Sequence, residues 1–215
     1  TDVEVEDTWH VLGLRGTGSD SYVADHVLVP PRRTMMRHTS LKPRIDRTLY
    51  AFTSSLMYSS SFAGLALGIA RATLEDFIAL MRDTTPRGAP RTRGENHVVQ
   101  SEVGKAEAMI RSSRALLMNT IDEAWAHASE AGAVSDADRV SLRLATTWAI
   151  QQSREAVSQL YLAAGAGAVL ERNPFERRFR DIHTLSQQIQ GHRAHFESVG
   201  QALMGFEPDR SLFSF

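Results

Sequence analysis

The segment LYAFTSSLMYSSSFAGLALGIARATLEDFIALMRD, Leu49 to Asp83, is long, apolar and free of proline. No strand runs that far, so it predicts a buried helix and commits the chain to helix-on-helix packing. Gly64 and Gly68 each cost about 1 kcal/mol relative to alanine inside a helix. They make sense if another helix backbone approaches there. After the Pro/Gly-broken basic stretch TTPRGAPRTRGEN, a second helix is expected from about Asn96 to Ala131. Val99, Val103, Ala106, Ile110, Leu117, Ile121 and Ala124 form its apolar stripe. Gly132 suits its C-cap, and Ser135 with Asp138 resembles a capping box for a third helix ending near Ala164. GAGA then interrupts the pattern, Pro174 starts a turn, and a last helix is expected to end near Gly205.

The first thirty residues differ. Val3, Val5, Trp9 and Val11 keep odd parity, RGTGSDS is a turn, and YVADHVLVP is a second strand closed by Pro30-Pro31. Two strands are marginal alone, so partner strands are expected upstream or on another chain. The expected fold is mainly α: an antiparallel four-helix bundle preceded by the last strands of a β-domain, with boundaries at 1–31 and 45–215. Thr1 in place of Met suggests a chain trimmed, processed or taken from within a longer protein.

Composition narrows the function. The 215 residues carry a net charge of -1, which gives no basic field for nucleic acid or an anionic membrane. There is no cysteine, so thiolate metal sites and cysteine nucleophiles are excluded, and a reducing, cytoplasmic setting fits. No apolar run reaches the ~18 residues of a membrane span, and the acidic start is unlike a signal peptide.

The chemistry-bearing residues gather in ERRFRDIHTLSQQIQGHRAH, Glu176 to His195. On a continuous helix, His183, Gln187, Gln190 and Ala194 share a face. His183 lies beside Ile182 and Leu185 and is either a core histidine bonded to a carbonyl or an imidazole poised for proton transfer. His192 and His195 stand i, i+3 with no acidic partner, which favours solvated residues over a metal site. Arg180 and Asp181 are expected to fix the start of the last helix. Arg87, Arg91 and Arg93 precede a helix and are either an exposed basic loop or a phosphate contact.

In order, WHVLGLRGTGSDSYVADHVLVP, SSSFAGLALGIARATLEDFIAL and GAGAVLERNPFERRFRDIHTL resemble the C-terminal part of the acyl-CoA dehydrogenase superfamily. Dehydrogenases of that family commonly carry a catalytic Glu-Gly where this chain has Gln190-Gly191, and an amide cannot act as that base. GLRGTGS and RDIHTLSQ resemble instead the two-component flavin monooxygenase branch, similar to hydroxyphenylacetate hydroxylases. The resemblance implies oxygenation of an aromatic or heteroaromatic substrate with O2 and reduced FMN from a separate flavin reductase, or FAD, in a homotetramer. It implies His183 as the catalytic base and Arg91 and Arg93 as flavin-phosphate contacts. Many relatives carry a further histidine where this chain has Gln188. The alternatives are an FAD-dependent acyl-CoA dehydrogenase-like oxidoreductase and a non-catalytic oligomerisation bundle.

Overall fold

The computed structural model describes residues 3–34 and 47–208, so the 45–215 boundary and the chain's last residues fall partly outside it. The fold is mainly helical with a small two-stranded sheet. β1 (Glu4–Glu6) pairs antiparallel with β2 (Ser21–Val23) in the register Glu4↔Val23 and Glu6↔Ser21. The hairpin is drawn in by Asp20, whose Oδ1 accepts the backbone N–H groups of Thr8 and Trp9 at 3.1 and 2.9 Å. The expected half-buried alternation is not found. β1 and β2 are exposed on both faces, and Trp9 and Val11 lie outside the strands.

α1 (Ser54–Asp83), α2 (His97–Ala131) and α3 (Asp136–Ala164) are the long helices. Thr53 Oγ1 caps α1 by accepting Leu56 N–H, and Asn96 Oδ1 caps α2 by accepting Val98 N–H. Gly132 closes α2 in the left-handed region at φ 73°, as the sequence predicts. Ser135 and Asp138 form the predicted capping box at the start of α3.

α3 is the central element and packs against α1, α2, α4 (Pro174–Gln187) and α5 (Ala194–Leu203). Its Ala145, Ala149, Ile150, Ala156, Val157 and Leu160 are fully buried. α1 contributes Ala63, Ala66, Ala70, Leu74 and Phe77 to the same core, and α2 contributes Ala106, Ile110 and Leu117. Alanine at the facing positions lets the helix axes come close. Gly64 and Gly68 do not serve this purpose among the described residues: a Cβ at either would meet nothing within 4 Å. Ion pairs tie the helices at their margins, Arg71 to Glu107 at 2.6 Å between α1 and α2, and Arg178 to Asp76 at 2.5 Å between α4 and α1.

The single last helix expected from the sequence is two helices. Gln188 leaves the helix at ψ 146°, its Oε1 accepts the N–H of Gln190 at 2.6 Å, and a 3₁₀ turn covers Ile189–Gly191 before α5 begins. The face proposed for His183, Gln187, Gln190 and Ala194 is therefore not continuous.

At the α2–α3 turn, His127 Nδ1 lies 2.8 Å from Asp138 Oδ1, while Ser135 Oγ donates to Asp138 Oδ2 at 2.6 Å. The hydrogen bond to Asp138, with its negative charge, raises the pKa of His127. Burial pushes Asp138 up, but the bonds from Ser135 and His127 outweigh it and leave the carboxyl below its usual range. A raised histidine stabilises below its unfolded pKa and loses that contribution as pH rises through the folded one. A depressed carboxyl loses its contribution as pH falls through its own folded value. The staple therefore acts at mildly acidic pH. The Tm advantage of the wild type over His127→Ala is expected to shrink as pH rises from about 6 to 8. A difference that stays constant across that range contradicts the linkage.

Candidate functional site

Two regions carry chemistry, both anchored on α3. In the first, His183 sits half-buried on α4, with the Phe179 ring 4.3 Å away and Tyr161 stacked on Phe179 at 4.5 Å. Its Nε2 lies 2.9 Å from Ser158 Oγ. Ser158 donates its only hydroxyl proton to the carbonyl of Arg154 at 2.8 Å. The hydroxyl oxygen can then only accept from His183, so Nε2 carries the ring proton and Nδ1 keeps its lone pair. Nδ1 has no hydrogen-bond partner among the described residues. Burial lowers the pKa of His183, the Arg154 charge lowers it further, and Glu155 partly opposes both. The imidazole is thus neutral at neutral pH, with one fixed donor and one open acceptor.

The second region is the bend between α4 and α5. Arg143, Thr147 and Gln151 stand four residues apart on α3 and all reach it. Arg143 Nη1 donates to Gln190 Oε1 at 2.8 Å, and its Nη2 donates to Ser55 Oγ at 3.1 Å. Thr147 Oγ1 lies 3.1 Å from His195 Nδ1, and Gln151 Nε2 donates to the carbonyl of Gly191 at 2.7 Å. Gly191 is pressed onto α3, where a Cβ would stand 2.8 Å from Ile150 Cγ2. Gln190 is buried, and the arginine fixes which way its amide points, so that its Nε2 makes no hydrogen bond with a described residue. Arg143 is itself buried, and burial lowers its pKa, but a guanidinium remains charged at neutral pH. Arg143→Met is expected to cost about 2–4 kcal/mol in urea unfolding, because Gln190 and Ser55 lose a buried donor. A cost below about 0.5 kcal/mol, the usual range of surface changes, contradicts this clamp.

His192 is exposed, as expected, with Nδ1 accepting Ala194 N–H. His195 is not a surface residue but is half-buried against Thr147. Arg180 and Asp181 do not fix a helix start, since α4 begins at Pro174. They hold the N-terminal segment instead. Asp181 Oδ1 accepts Leu14 N–H at 2.7 Å and Arg180 Nη1 donates to Leu12 O at 2.9 Å. Glu176 binds the other face of Arg180 through two bonds of 2.7 and 3.0 Å.

The arginine loop forms a cleft of about 430 Å³ with Pro86, Thr92, Asn96 and Val99. Arg93 donates to the carbonyls of Ala163 and Ala164, both at 2.9 Å, and so caps α3 beside the Gly165–Val169 turn. Arg91 is exposed in the cleft and makes no hydrogen bond or ion pair with a described residue. The loop thus offers one free guanidinium on a base held by the other, a donor set that fits an anionic phosphate. The structure does not bring His183 and this loop together in one pocket. Arg143, Gln151 and Ser158 were missed from sequence, although polar side chains on the buried face of an otherwise apolar helix were a legible signal.

The family model described as acyl-CoA dehydrogenase, C-terminal domain, matches residues 60–194. The chain is 27% identical over 209 residues to the indole-3-acetate monooxygenase of Pseudomonas putida, covering 97% of this chain and 53% of that protein. It is 28% identical over 222 residues to the FADH(2)-dependent resorcinol hydroxylase, oxygenase component, of Rhizobium sp. (strain MTP-10005), covering 95% and 54%. The crystal structure of the 3-HSA hydroxylase from Rhodococcus sp. RHA1 superposes with a TM-score of 0.86 at 20% identity, over 99% of this chain and 56% of that one. The chain spans about half the length of the curated relatives it matches.

Proposed function

The chain belongs to the acyl-CoA dehydrogenase C-terminal domain family, and from that premise we propose that it is the C-terminal part of the oxygenase component of a two-component flavin monooxygenase. The full protein takes reduced FMN or FAD from a separate reductase and uses O2 to hydroxylate an aromatic or heteroaromatic substrate. Residues 1–31 end its middle β-domain, α1, α2 and α3 together with α4 make up the antiparallel four-helix bundle of its C-terminal domain, and the protein is a cytoplasmic homotetramer. The relatives support this, since they are named as an indole-3-acetate monooxygenase and as a resorcinol hydroxylase oxygenase component.

The observation that carries the reading is the neutral His183 with an open Nδ1. Flavin, when bound, supplies the redox chemistry that activates O2. The chain's own residues hold and move a proton. A phenol O–H placed against Nδ1 gives its proton to the imidazole, which enriches the ring in electrons for attack on an electrophilic oxygen. Ser158 keeps the ring in the tautomer that can receive it, and Phe179 and Tyr161 form an apolar wall that limits water. Gln190 supports the monooxygenase over the dehydrogenase, because an amide cannot remove a proton from carbon. Arg91 and Arg93 are the candidate flavin-phosphate contacts, with Arg91 free to bind and Arg93 holding the loop.

The test is turnover of the full-length protein with a separate flavin reductase and, in turn, indole-3-acetate, resorcinol and a simple phenol. Hydroxylated product from at least one, dependent on the reductase, is the expected result. Peroxide as the sole product from all three, with anaerobic bleaching of FAD by an acyl-CoA, identifies a dehydrogenase instead. Arg91→Gln is expected to weaken FMN binding about 10-fold and leave riboflavin binding unchanged, as loss of one charge-assisted contact to phosphate requires. Equal weakening of both contradicts a phosphate role for Arg91.

A further inference from the structure

The N-terminal segment and α4 form the walls of an open cleft of about 420 Å³ that the proposed reaction does not use. Its wall carries Leu14, Arg15 and Thr17 from one side and Arg177, Arg180 and Asp181 from the other. Two of these charges are already answered. Arg180 is bound by Glu176, and Asp181 accepts the N–H of Leu14. Arg15 and Arg177 make no hydrogen bond or ion pair with any described residue, although the Arg177 charge is felt by the neighbouring Glu176 carboxylate. Two like charges facing one cavity repel each other and lower the free energy of any anion that enters.

The rim that presents Arg15 is held rigidly. Leu14 is in the left-handed region at φ 53° and ψ 32°, a conformation that a leucine rarely adopts. It is kept there by Asp181 at its N–H and by Trp9 Nε1, which donates to its carbonyl at 3.1 Å. One residue earlier, Gly13 lies so close to α4 that a Cβ would stand 2.2 Å from the carbonyl oxygen of Arg180. Strain at a non-glycine residue, sustained by surrounding bonds, is characteristic of ligand clamps.

We propose that this cavity is a phosphate-binding site that takes the phosphoryl group of a nucleotide-class ligand. Two unpaired guanidinium forks match the oxygens of a phosphoryl dianion, whereas a carboxylate answers only one of the two charges. The volume lies within the ~300–1,000 Å³ common for small-ligand sites. The site is distinct from the Arg91 cleft and does not rest on the flavin reading.

The test is calorimetric titration of the full-length protein with inorganic pyrophosphate at low salt, in an Arg91→Gln background that removes the loop cation. Saturable binding is expected, weakened about 10-fold or more by either Arg15→Gln or Arg177→Gln. Both side chains are exposed, so the circular dichroism of the variants should match the parent. Competition identifies the source. If FMN displaces pyrophosphate and riboflavin does not, the phosphate is the flavin's. If a nucleoside diphosphate displaces it and FMN does not, the ligand is another nucleotide. No saturable binding, or unchanged affinity in both arginine variants, overturns the proposal.

Discussion

His183→Ala is expected to lower hydroxylated product on the order of 10²-fold while reduced flavin continues to be oxidised by O2, so that peroxide replaces product. In the proposed reaction the histidine takes the proton of the aromatic substrate and has no part in oxygen activation, so its loss uncouples the two. Further outcomes follow from its surroundings. Burial and the Arg154 charge hold the imidazole pKa down, so the acid limb of the wild-type rate profile lies below the ~6.5 of an unperturbed histidine. Arg154→Gln removes the second of those causes and moves the limb upward. Ser158→Ala releases the Nε2 proton from its acceptor and lets the ring adopt either tautomer, which lowers coupling less than His183→Ala does. Ser158→Thr keeps a hydroxyl and should restore much of the loss. Unchanged coupling in His183→Ala, with an unshifted pH profile, removes the residue from the reaction.

Gly13→Ala is expected to produce the largest structural effect of a single methyl group in this chain. The added carbon would lie 2.2 Å from the oxygen and 2.4 Å from the carbon of the Arg180 carbonyl, and 2.6 Å from the amide nitrogen of Asp181. All three atoms are backbone of α4 and cannot swing aside, so the N-terminal segment must lift. Lifting strains or breaks the Leu14–Asp181 and Arg180–Leu12 bonds together. Overpacking of about 1–3 kcal/mol, with those two bonds at about 1 kcal/mol each, gives a loss of roughly 3–5 kcal/mol. Urea unfolding measures this, and limited proteolysis should cut the first thirty residues much faster in the variant. Gly16→Ala is the control: its Cβ meets nothing within 4 Å, and the change should stay within about 0.5 kcal/mol. Equal stability of the two variants contradicts the docked position of the segment.

The long helices were legible because their signals are local. The apolar stripe of α2, the glycine at its end and the Ser135–Asp138 box all act within a few residues. The break after Gln187 was not legible, because no proline marks it. It is set by the local cap of Gln188 on Gln190 and by α3 holding Gly191, and the second of these is a contact 40 residues apart that only the folded chain brings together. The same holds for Arg180 and Asp181. Their partners, Leu12 and Leu14, lie 168 and 167 residues away in sequence. The strand alternation was present in sequence, but burial of its apolar side depends on a covering layer that these residues do not supply. His183 was visible as a candidate from its apolar neighbours. Its tautomer was not, since that depends on one hydroxyl of α3. Arg93 was visible as a cation before a helix, yet its place at the end of α3 rests on carbonyls 70 and 71 residues away.

In the proposed reaction the full protein transfers one oxygen atom from O2 to its aromatic substrate. The most direct measurement is a single turnover of the full-length protein, loaded anaerobically with reduced FMN and indole-3-acetate or resorcinol, mixed with isotopically labelled O2. Mass spectrometry of the product should show one labelled oxygen atom per hydroxylated molecule and none from water. Labelled peroxide with unmodified substrate, for every aromatic tested and with either flavin, would exclude oxygen transfer to an aromatic ring.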